Sequence, residues 1–355
     1  MKSIKELYRI GTGPSSSHTM GPRKAAEMFV TRHPDAAKFK VTLYGSLAAT
    51  GKGHMTDVAI IDTLEPTAPV EIIWQPKVFL PFHPNGMTFA AFDTDDKLIE
   101  NWTVYSIGGG ALAENSDTPS IESRDVYGMN SMTEILEWCE RSGKGYWEYV
   151  KECEDSDIWD YLNEVWKTMI DSIRRGLEEE GVLPGPLNLR RKASTYYIRA
   201  TGYKQSLQSR GLVFAYALAV SEENASGGKI VTAPTCGSCG VMPAVLYHLY
   251  KSRDFSDIRI LRALATAGLV GNIVKFNASI SGAEVGCQGE VGVACAMASA
   301  AANQLFGGSP AQIEYAAEMG LEHHLGMTCD PVCGLVQIPC IERNAYAAAR
   351  ALDAN

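Results

Sequence analysis

Long apolar runs, a secretory leader and blocks of like charge are all missing from this sequence of 355 residues. The longest apolar stretches fall well short of the ~20 residues that a membrane-spanning helix needs. The segment Met1–Glu6 has no apolar core of a secretory signal. The net charge is −9 and no run holds five like charges, which argues against nucleic acid or a membrane surface as a partner. We therefore expect a cytoplasmic protein that binds neither.

Cysteine, in contrast, is plentiful and unevenly placed. The chain has nine cysteines, an odd number that argues against a disulfide framework. In a reducing compartment such thiols are more often free, metal-bound or catalytic than disulfide-bonded. Only Cys139 and Cys153 lie in the first 200 residues, and the other seven lie between Cys236 and Cys340. Cysteine chemistry is therefore predicted in the second half of the chain.

The hydrophobic pattern changes along the chain. From about residue 130 it is helical, since Ser131-Met132-Thr133-Glu134 fits a capping box and apolar residues recur every three or four positions from Ile158 to Leu177. Before that point, short β-rich runs bounded by Gly, Pro and Asp predict strands at Phe39–Tyr44, Val70–Trp74, Met87–Phe92 and Trp102–Ile107. Alanine-rich windows later in the chain predict a buried helical bundle, at Gly211–Val220, Ile260–Ile273, Val291–Leu305 and Ile341–Leu352.

These patterns predict an α+β fold. We expect an N-terminal α/β domain with a mixed sheet over residues 1–130 and an all-helical catalytic domain over residues 150–355. The junction is predicted between residues 115 and 155. The helical pattern of Ala345–Asn355 continues to the last residue without a cap or breaker, so we expect the second domain to be truncated at its C-terminus.

Polar side chains of the first domain gather in turns bounded by glycine or proline. The run Gly13–Thr19 concentrates hydroxyls, backbone amides and an imidazole. If Ser17 or Thr19 caps the following helix, the N–H groups there form an anion site suited to a carboxylate. The segments Gly51–His54 and His83–Gly86 each place a histidine in a tight turn with little bulk. Such a histidine can reach a ligand, although a lone histidine is more often structural or exposed.

Three cysteines of the second half, Cys287, Cys329 and Cys340, stand in polar, loop-like segments beside helix starts. Neighbouring proline restricts the backbone, and glycine lets it come close to a bulky group. Their spacing matches neither a compact ferredoxin motif nor a zinc ribbon. Spacing alone therefore leaves a metal or cluster site and buried structural thiols both open. The single C-x-x-C pair, Cys236 and Cys239, is interpreted as two structural thiols at a helix start.

Together these strings resemble the bacterial iron–sulfur L-serine dehydratases (L-serine ammonia-lyases) over nearly the whole chain. The resemblance rests on Gly13–Thr19, Gly51–His54, His83–Met87, Ala283–Glu290, Cys329–Val332 and Pro339–Asn344. It implies a β-type and an α-type domain fused in one polypeptide, usually as a homodimer. It also implies a [4Fe–4S] cluster held by Cys287, Cys329 and Cys340. Cys236 and Cys239 stand where many members of that family have no cysteine.

The implied reaction converts L-serine to pyruvate and ammonia. Three thiolates leave one iron open, and this iron acts as a Lewis acid on the serine hydroxyl. Elimination also needs a base for the α-proton; His54 is favoured, with His18 and His83 as alternatives. The residues expected to bind the substrate are Ser15, Ser16, Ser17, His18, Thr19, His83 and Asn85.

Three other functions stay open at this point. A pyridoxal-phosphate dehydratase would carry out the same net reaction through a lysine Schiff base, but no lysine has the small flanking residues and glycine-rich phosphate loop of such a site. A non-catalytic iron–sulfur or serine-sensing regulatory protein would show no turnover. A cysteine desulfhydrase of similar architecture would release sulfide from L-cysteine.

Overall fold

The computed structural model describes residues 1–114 and 124–355, which form two compact units. The sheet unit holds the described part of Pro14–Ser123 together with Cys333–Leu335. The helical unit holds Met1–Gly13, Arg124–Val332 and Val336–Asn355. Residues 115–123, inside the predicted junction, lie outside the described residues. The predicted α+β class is confirmed, because a mixed sheet is followed by a mostly helical region.

The strands within these ranges are β1 (Ile10–Thr12), β2 (Lys38–Tyr44), β3 (Val70–Gln75), β4 (Gly86–Phe92), β5 (Leu98–Ser106), β6 (Leu112–Ala113) and β7 (Lys229–Val231). The helices are α1 (Gly21–Arg32), α2 (Gly45–Thr50), α3 (Thr56–Leu64), α4 (Met132–Ser142), α5 (Tyr146–Cys153), α6 (Ile158–Glu178), α7 (Ala193–Thr201), α8 (Gln205–Ala225), α9 (Val241–Arg253), α10 (Asp257–Asn277), α11 (Gly282–Val285), α12 (Val293–Leu305), α13 (Pro310–Glu322) and α14 (Cys340–Asp353). None of these helices is both long and apolar enough to span a membrane.

The sheet unit is built on a five-stranded sheet in the order β3-β2-β4-β5-β6. The pair β2 and β3 is parallel and is joined through α2 and α3, whereas the other neighbours are antiparallel. The four predicted strands are confirmed, although β5 begins at Leu98, four residues before the predicted start. Leu98 and Ile99 are both about half exposed, so the burial alternation that reveals a strand is missing there.

The core of the sheet unit lies between the sheet and its helices. Alternate residues of β2 point inward, so that Phe39, Val41 and Leu43 are fully buried. Phe29 of α1 packs against this face, with its ring centroid 5.4 Å from that of Phe89 on β4. Each large apolar side chain buried in this way contributes about 1.5–3 kcal/mol. This core fixes the start of α1 and the end of β2, where the polar turns lie.

The helical unit is packed mainly through small residues. The alanine-rich windows lie in α8, α10, α12 and α14, as predicted, and Cys139 and Cys295 are buried. Gly176 shows how closely the helices approach: a Cβ there would lie 2.2 Å from the carbonyl oxygen of Ala219 on α8. The predicted capping box is confirmed in part: the Ser131 hydroxyl accepts the Glu134 N–H, but the Glu134 carboxylate accepts the N–H of Asn130 instead of that of Ser131.

The sequence predicts an all-helical second domain, but the helical unit contains one small two-stranded sheet. β1 pairs with β7 in antiparallel register, and each strand has three residues, too few for an alternating pattern to be visible in the sequence. Residues 1–13 belong to the helical unit. The Tyr8 hydroxyl donates to the Leu264 carbonyl at 2.9 Å, and the Glu154 carboxylate accepts the Ile4 N–H at 2.8 Å.

Candidate functional site

The hydroxyl-rich run of the sheet unit forms the entrance of α1. Residues Ser16–Met20 make one wide helical turn that leads directly into α1, and Ser15 caps it by accepting the His18 N–H at 3.1 Å. The expectation that Ser17 or Thr19 is the cap is therefore wrong. Three consecutive serines offer the same cap chemistry, and the wide turn shifts the helix start to the first of them. The Ser16 hydroxyl makes no hydrogen bond to any described residue.

Two reciprocal hydrogen bonds join this turn to the loop after α2. The Thr19 hydroxyl donates to the His54 carbonyl at 2.6 Å, and the Thr56 hydroxyl donates to the His18 carbonyl at 2.5 Å. The two imidazole rings lie 4.6 Å apart between their centroids. All four side chains are buried. We call His18, His54 and the residues Ser15–Thr19 the histidine cluster.

His18 is held by hydroxyls at both ring nitrogens. Its Nδ1 lies 2.9 Å from the Ser17 hydroxyl and its Nε2 lies 3.1 Å from the Ser46 hydroxyl. Burial, followed by the charge of His54, lowers the pKa of His18 to about 3. His18 is thus a neutral imidazole at physiological pH, with both nitrogens engaged.

His54 differs from His18 at one nitrogen. Its Nδ1 lies 3.0 Å from the Thr50 carbonyl, which can only accept, so Nδ1 carries the proton. The lone pair then resides on Nε2, for which the described chain supplies no hydrogen-bond partner. Burial lowers the pKa of His54. A neutral imidazole with an unengaged lone pair is the form that accepts a proton.

The third histidine turn lies in the same unit. His83 Nδ1 accepts the Asn85 N–H at 3.1 Å, and the charge of His83 contributes to the lowered pKa of His18. The amide nitrogen of Asn85 donates to the Ser106 carbonyl at 3.2 Å. Its amide oxygen is buried and has no partner among the described residues. The predicted residues of the sheet unit therefore bring together one base-like imidazole and several polar groups.

The helical unit contains a second polar centre. Sulfur atoms of Cys287 and Cys329 and a carboxylate oxygen of Glu290 lie within 4.8 Å of one another; we call these three residues the cysteine group. Cys340 is outside this group, but the charges of Cys287 and Glu290 reach it and, after burial, raise the pKa of its thiol to about 12. Cys287 and Cys340 are buried and Cys329 is exposed.

The sulfur of Cys287 is stabilised as a thiolate. Hydrogen bonding from the Cys329 thiol and the nearby Arg343 guanidinium together lower the pKa of Cys287 to about 6, although burial opposes them. Arg343 also donates to the Thr328 carbonyl at 2.8 Å. The hydrogen bond between the two sulfurs also raises the pKa of the Cys329 thiol. At neutral pH the pair is therefore one thiolate and one thiol.

Close backbone contacts hold the segments of the cysteine group together. Gly286 has a φ of +76°, and a Cβ there would lie 2.6 Å from the Met327 carbonyl oxygen. The Gln288 N–H donates to this carbonyl at 3.1 Å, and the Gln288 side chain accepts the Gly326 N–H at 2.9 Å. Only glycine combines this φ with so close an approach, which explains the glycine before Cys287.

Comparison with known proteins gives the family. A sequence model of the serine dehydratase beta chain matches residues 3–75, and one of the serine dehydratase alpha chain matches residues 74–355. The chain is 40% identical to L-serine dehydratase TdcG of Escherichia coli, over 100% of this chain and 89% of that protein. It is also 40% identical to the L-serine dehydratase of Streptomyces coelicolor, over 99% of this chain and 89% of that protein. The chain belongs to the L-serine dehydratase family.

Three polar residues near the thiols have no role predicted from the sequence: Thr235, Glu290 and Arg343. Glu290 accepts a hydrogen bond from the Thr235 hydroxyl, and burial, then the charge of Cys287, raises its pKa to about 8. A Cβ on Gly282 would lie 2.5 Å from a carboxylate oxygen of Glu290, so glycine leaves room for this side chain. Glu290 and Arg343 both lie within motifs that carry the family resemblance, Ala283–Glu290 and Pro339–Asn344. This was the only feature of the sequence that pointed to them.

The C-x-x-C segment of this dehydratase family member lies next to the cysteine group. Cys236 and Cys239 are buried, and burial raises the pKa of Cys239. The Asn344 side chain, one turn after Cys340, donates to the Gly237 carbonyl at 2.8 Å and accepts the Gly240 N–H at 2.9 Å. The segment is thus tied to α14. Its interpretation as a structural pair remains a prediction.

Proposed function

We propose that this chain is an L-serine ammonia-lyase that uses a [4Fe–4S] cluster held by Cys287, Cys329 and Cys340. The observation that carries the proposal is that the sulfur atoms of Cys287 and Cys329, 42 residues apart in sequence, lie within 4.8 Å of each other, and that the pKa of the Cys287 thiol is lowered. We further propose that the chain acts in the cytoplasm as a homodimer, as the family resemblance implies.

The residues present fit such a cluster. Soft thiolate ligands select iron–sulfur clusters or zinc over hard cations. A thiol must lose its proton before it binds metal: the pKa of Cys287 is lowered, whereas those of Cys329 and Cys340 are raised, so the latter two would lose their protons as the cluster binds. The Arg343 guanidinium supplies positive charge beside the Cys287 thiolate. When bound, a cluster with one iron that lacks a protein ligand supplies a Lewis acid for the serine hydroxyl.

The entrance of α1 would bind the substrate carboxylate. The first N–H groups of a helix have no partner within the helix, which makes its N-terminus an anion site. Ser15 already accepts the N–H groups of His18 and Thr19, so those of Ser16 and Ser17 would bind the carboxylate. The Ser16 hydroxyl, which no described residue engages, adds a donor at this point. Ser15 and Ser17 are bonded to His18 and shape the turn. The buried amide oxygen of Asn85 would accept from the substrate ammonium group, beside His83.

His54 would be the base. Its Nε2 lone pair is unengaged, and its lowered pKa keeps the ring neutral at physiological pH. The structure favours His54 over His18, because both nitrogens of His18 already bond to hydroxyls. The Thr19 hydroxyl donates its proton to the His54 carbonyl. We therefore assign to Thr19 and His18 the positioning of His54, with Thr19 acting through the backbone.

The chemistry balances with these residues. The α-proton of L-serine moves to Nε2 of His54 as the Cβ–O bond breaks. His54 then gives up this proton, which with the departing hydroxide makes one molecule of water, so the base returns to its neutral form. The aminoacrylate that remains tautomerises to the imine of pyruvate. Water hydrolyses this imine to pyruvate and ammonia. No external oxidant or reductant is required.

Anaerobic reconstitution with iron and sulfide tests the proposal. We expect a broad visible iron–sulfur absorbance, about four irons per chain, and pyruvate release from L-serine that requires the cluster. An aldimine band with turnover in the absence of iron would indicate a pyridoxal-phosphate enzyme. A bound cluster without turnover would indicate a regulatory protein, and faster sulfide release from L-cysteine would indicate a desulfhydrase. Each of these three results contradicts the proposal.

A further inference from the structure

Positive charge is concentrated in one stretch of this acidic chain. Residues 190–211 contain six Lys or Arg residues and no Asp or Glu, although the net charge of the whole chain is −9. Near the start of the stretch, Arg191 pairs with Glu223 and Lys192 pairs with Glu342. Arg199 and Arg210 have no ion pair within residues 1–114 and 124–355. Their charge is therefore uncompensated by the described chain.

These two arginines meet at a cavity within the helical unit. The cavity has a volume of about 290 Å³ and is lined by Tyr196, Arg199, Tyr203, Arg210, Gly211 and Phe214. Tyr196 and Arg199 are three residues apart on α7, and Arg210 and Phe214 are four apart on α8, so each helix presents one face to the cavity. The cavity thus lies between two consecutive helices.

Glycine and packing shape this cavity. A Cβ on Gly211 would lie 2.8 Å from the Ala200 Cβ and 3.3 Å from the Tyr203 ring, so glycine permits the close approach of the two segments. Phe214 is supported from behind by Tyr346 on α14, with 5.2 Å between ring centroids. Phe214 is therefore held by packing against α14.

The lining combines two kinds of recognition. A guanidinium carries donors in a planar fork that matches phosphate oxygens, and two guanidiniums suit a doubly charged anion better than a single carboxylate. Aromatic side chains pack well against the face or edge of a flat ring. A volume of about 290 Å³ is at the lower end for a small-molecule site and suits a ligand with one ring.

We propose that this cavity is a binding site for a small organic phosphate that carries a flat ring. Arg199 and Arg210 bind the phosphate group, and Tyr196, Tyr203 and Phe214 contact the ring. The site uses none of the residues of the histidine cluster or the cysteine group. It is therefore independent of the proposed function, and its test requires no cluster and no turnover.

Isothermal titration of the full chain with phenyl phosphate, inorganic phosphate and phenol tests the site. Phenyl phosphate should bind at least tenfold more tightly than either fragment, and its affinity should fall as salt is raised. The double variant Arg199→Gln/Arg210→Gln should weaken phenyl phosphate at least tenfold. Phe214→Leu should weaken phenyl phosphate while inorganic phosphate binding is unchanged; Tyr203→Leu replaces it if circular dichroism shows that the first variant is misfolded.

The matched control is Arg259→Gln, because Arg259 also lies over an aromatic ring, that of Phe255, but outside the cavity. This variant should bind phenyl phosphate as the unmodified chain does. Three results would overturn the proposal: no binding of phenyl phosphate, equal binding of phenyl phosphate and inorganic phosphate, or equal loss in the Arg259→Gln control and the double variant.

Discussion

The histidine cluster and the cysteine group differ in how their side chains are held. In the histidine cluster, most hydroxyls, carbonyls and imidazoles bond to one another, and among the described residues Nε2 of His54 and the Ser16 hydroxyl have no partner. In the cysteine group, two sulfurs share one proton, Cys329 is exposed, and Cys340 lies outside the 4.8 Å set. One centre is organised by hydrogen bonds within the protein, whereas the other brings together thiols that, in our proposal, would hold the cluster.

This difference leads to different expectations for substitutions. A change in the histidine cluster should alter binding or proton transfer and leave the cofactor in place. A change among the thiols should remove the cofactor and, with it, all activity.

The largest effect is expected from the thiols. Cys287→Ala, Cys329→Ala and Cys340→Ala should each lose the visible cluster absorbance and at least about 10³-fold in activity, because one missing thiolate leaves the cluster exposed to loss. Absorbance, iron content and pyruvate formation are measured after anaerobic reconstitution. Cys239→Ala is the control, since this buried cysteine should keep both properties. A cluster that depends on Cys236 or Cys239 instead would show that the ligands are misassigned.

His54→Asn should lower kcat by about 10²–10⁴-fold, the usual cost of removing a general base. Asparagine can keep the donor that faces the Thr50 carbonyl but has no equivalent of Nε2. Cluster absorbance and L-serine binding should be nearly unchanged. Because burial lowers the pKa of His54, kcat/KM of the unmodified enzyme should fall only below pH 6.5 on the acid side.

The control for the base is His33→Asn, which removes an imidazole bonded to Glu100 elsewhere in the sheet unit and should leave kcat unchanged. If His54→Asn turns over normally while His18→Asn or His83→Asn is inactive, the base is one of those residues and His54 is structural.

His18 should make the sheet unit less stable in acid. Its pKa is about 3 in the fold and 6.5 when unfolded, so the unfolded chain binds the extra proton as pH falls below 6.5. The free energy of unfolding should therefore drop by about 2 kcal/mol between pH 7 and pH 5 through this residue alone. Urea denaturation of the unmodified chain and of His18→Gln at both pH values isolates this contribution. An equal drop in both proteins would refute the buried, neutral His18.

The smallest effect is expected at the carboxylate site. Ser16→Ala should raise KM for L-serine about fivefold, equivalent to about 1 kcal/mol for one hydrogen bond, while kcat stays the same. Only KM should change because the hydroxyl would bind the carboxylate equally in the ground and transition states, so its removal weakens both by the same free energy. Thr31→Ala, on the same helix but bonded only to the Glu27 carbonyl, is the control. A fall in kcat with unchanged KM would argue against carboxylate binding at Ser16.

Much of the fold could be predicted because the hydrophobic pattern of the sequence is strong in strands and helices that bury only one face. Phe39, Val41 and Leu43 alternate with polar neighbours and therefore predicted β2. The three-residue strands β1 and β7 carry no such pattern. The cap of the first helical turn was misplaced because Ser15, Ser16 and Ser17 are chemically equivalent and only the local hydrogen bonds that His18 makes in the folded turn distinguish them.

The candidate site was less accessible to local reasoning. His18 and His54 are 36 residues apart, and their contact depends on how the end of β2 meets the start of α1. Sequence spacing could not choose between metal ligands and structural thiols for Cys287 and Cys329, and the family resemblance supplied that assignment. The closeness of Glu290 to both sulfurs depends on packing between distant segments.

Mössbauer spectroscopy of the chain reconstituted with iron-57 tests whether one iron of the proposed cluster binds L-serine. We expect a four-iron cluster in which the signal of one iron in four changes when L-serine is added, at the concentrations that support pyruvate formation. Cys287→Ala should show no cluster signal under the same conditions. Pyruvate formation by protein that contains no iron, or a cluster whose four irons all ignore L-serine during turnover, would contradict the account.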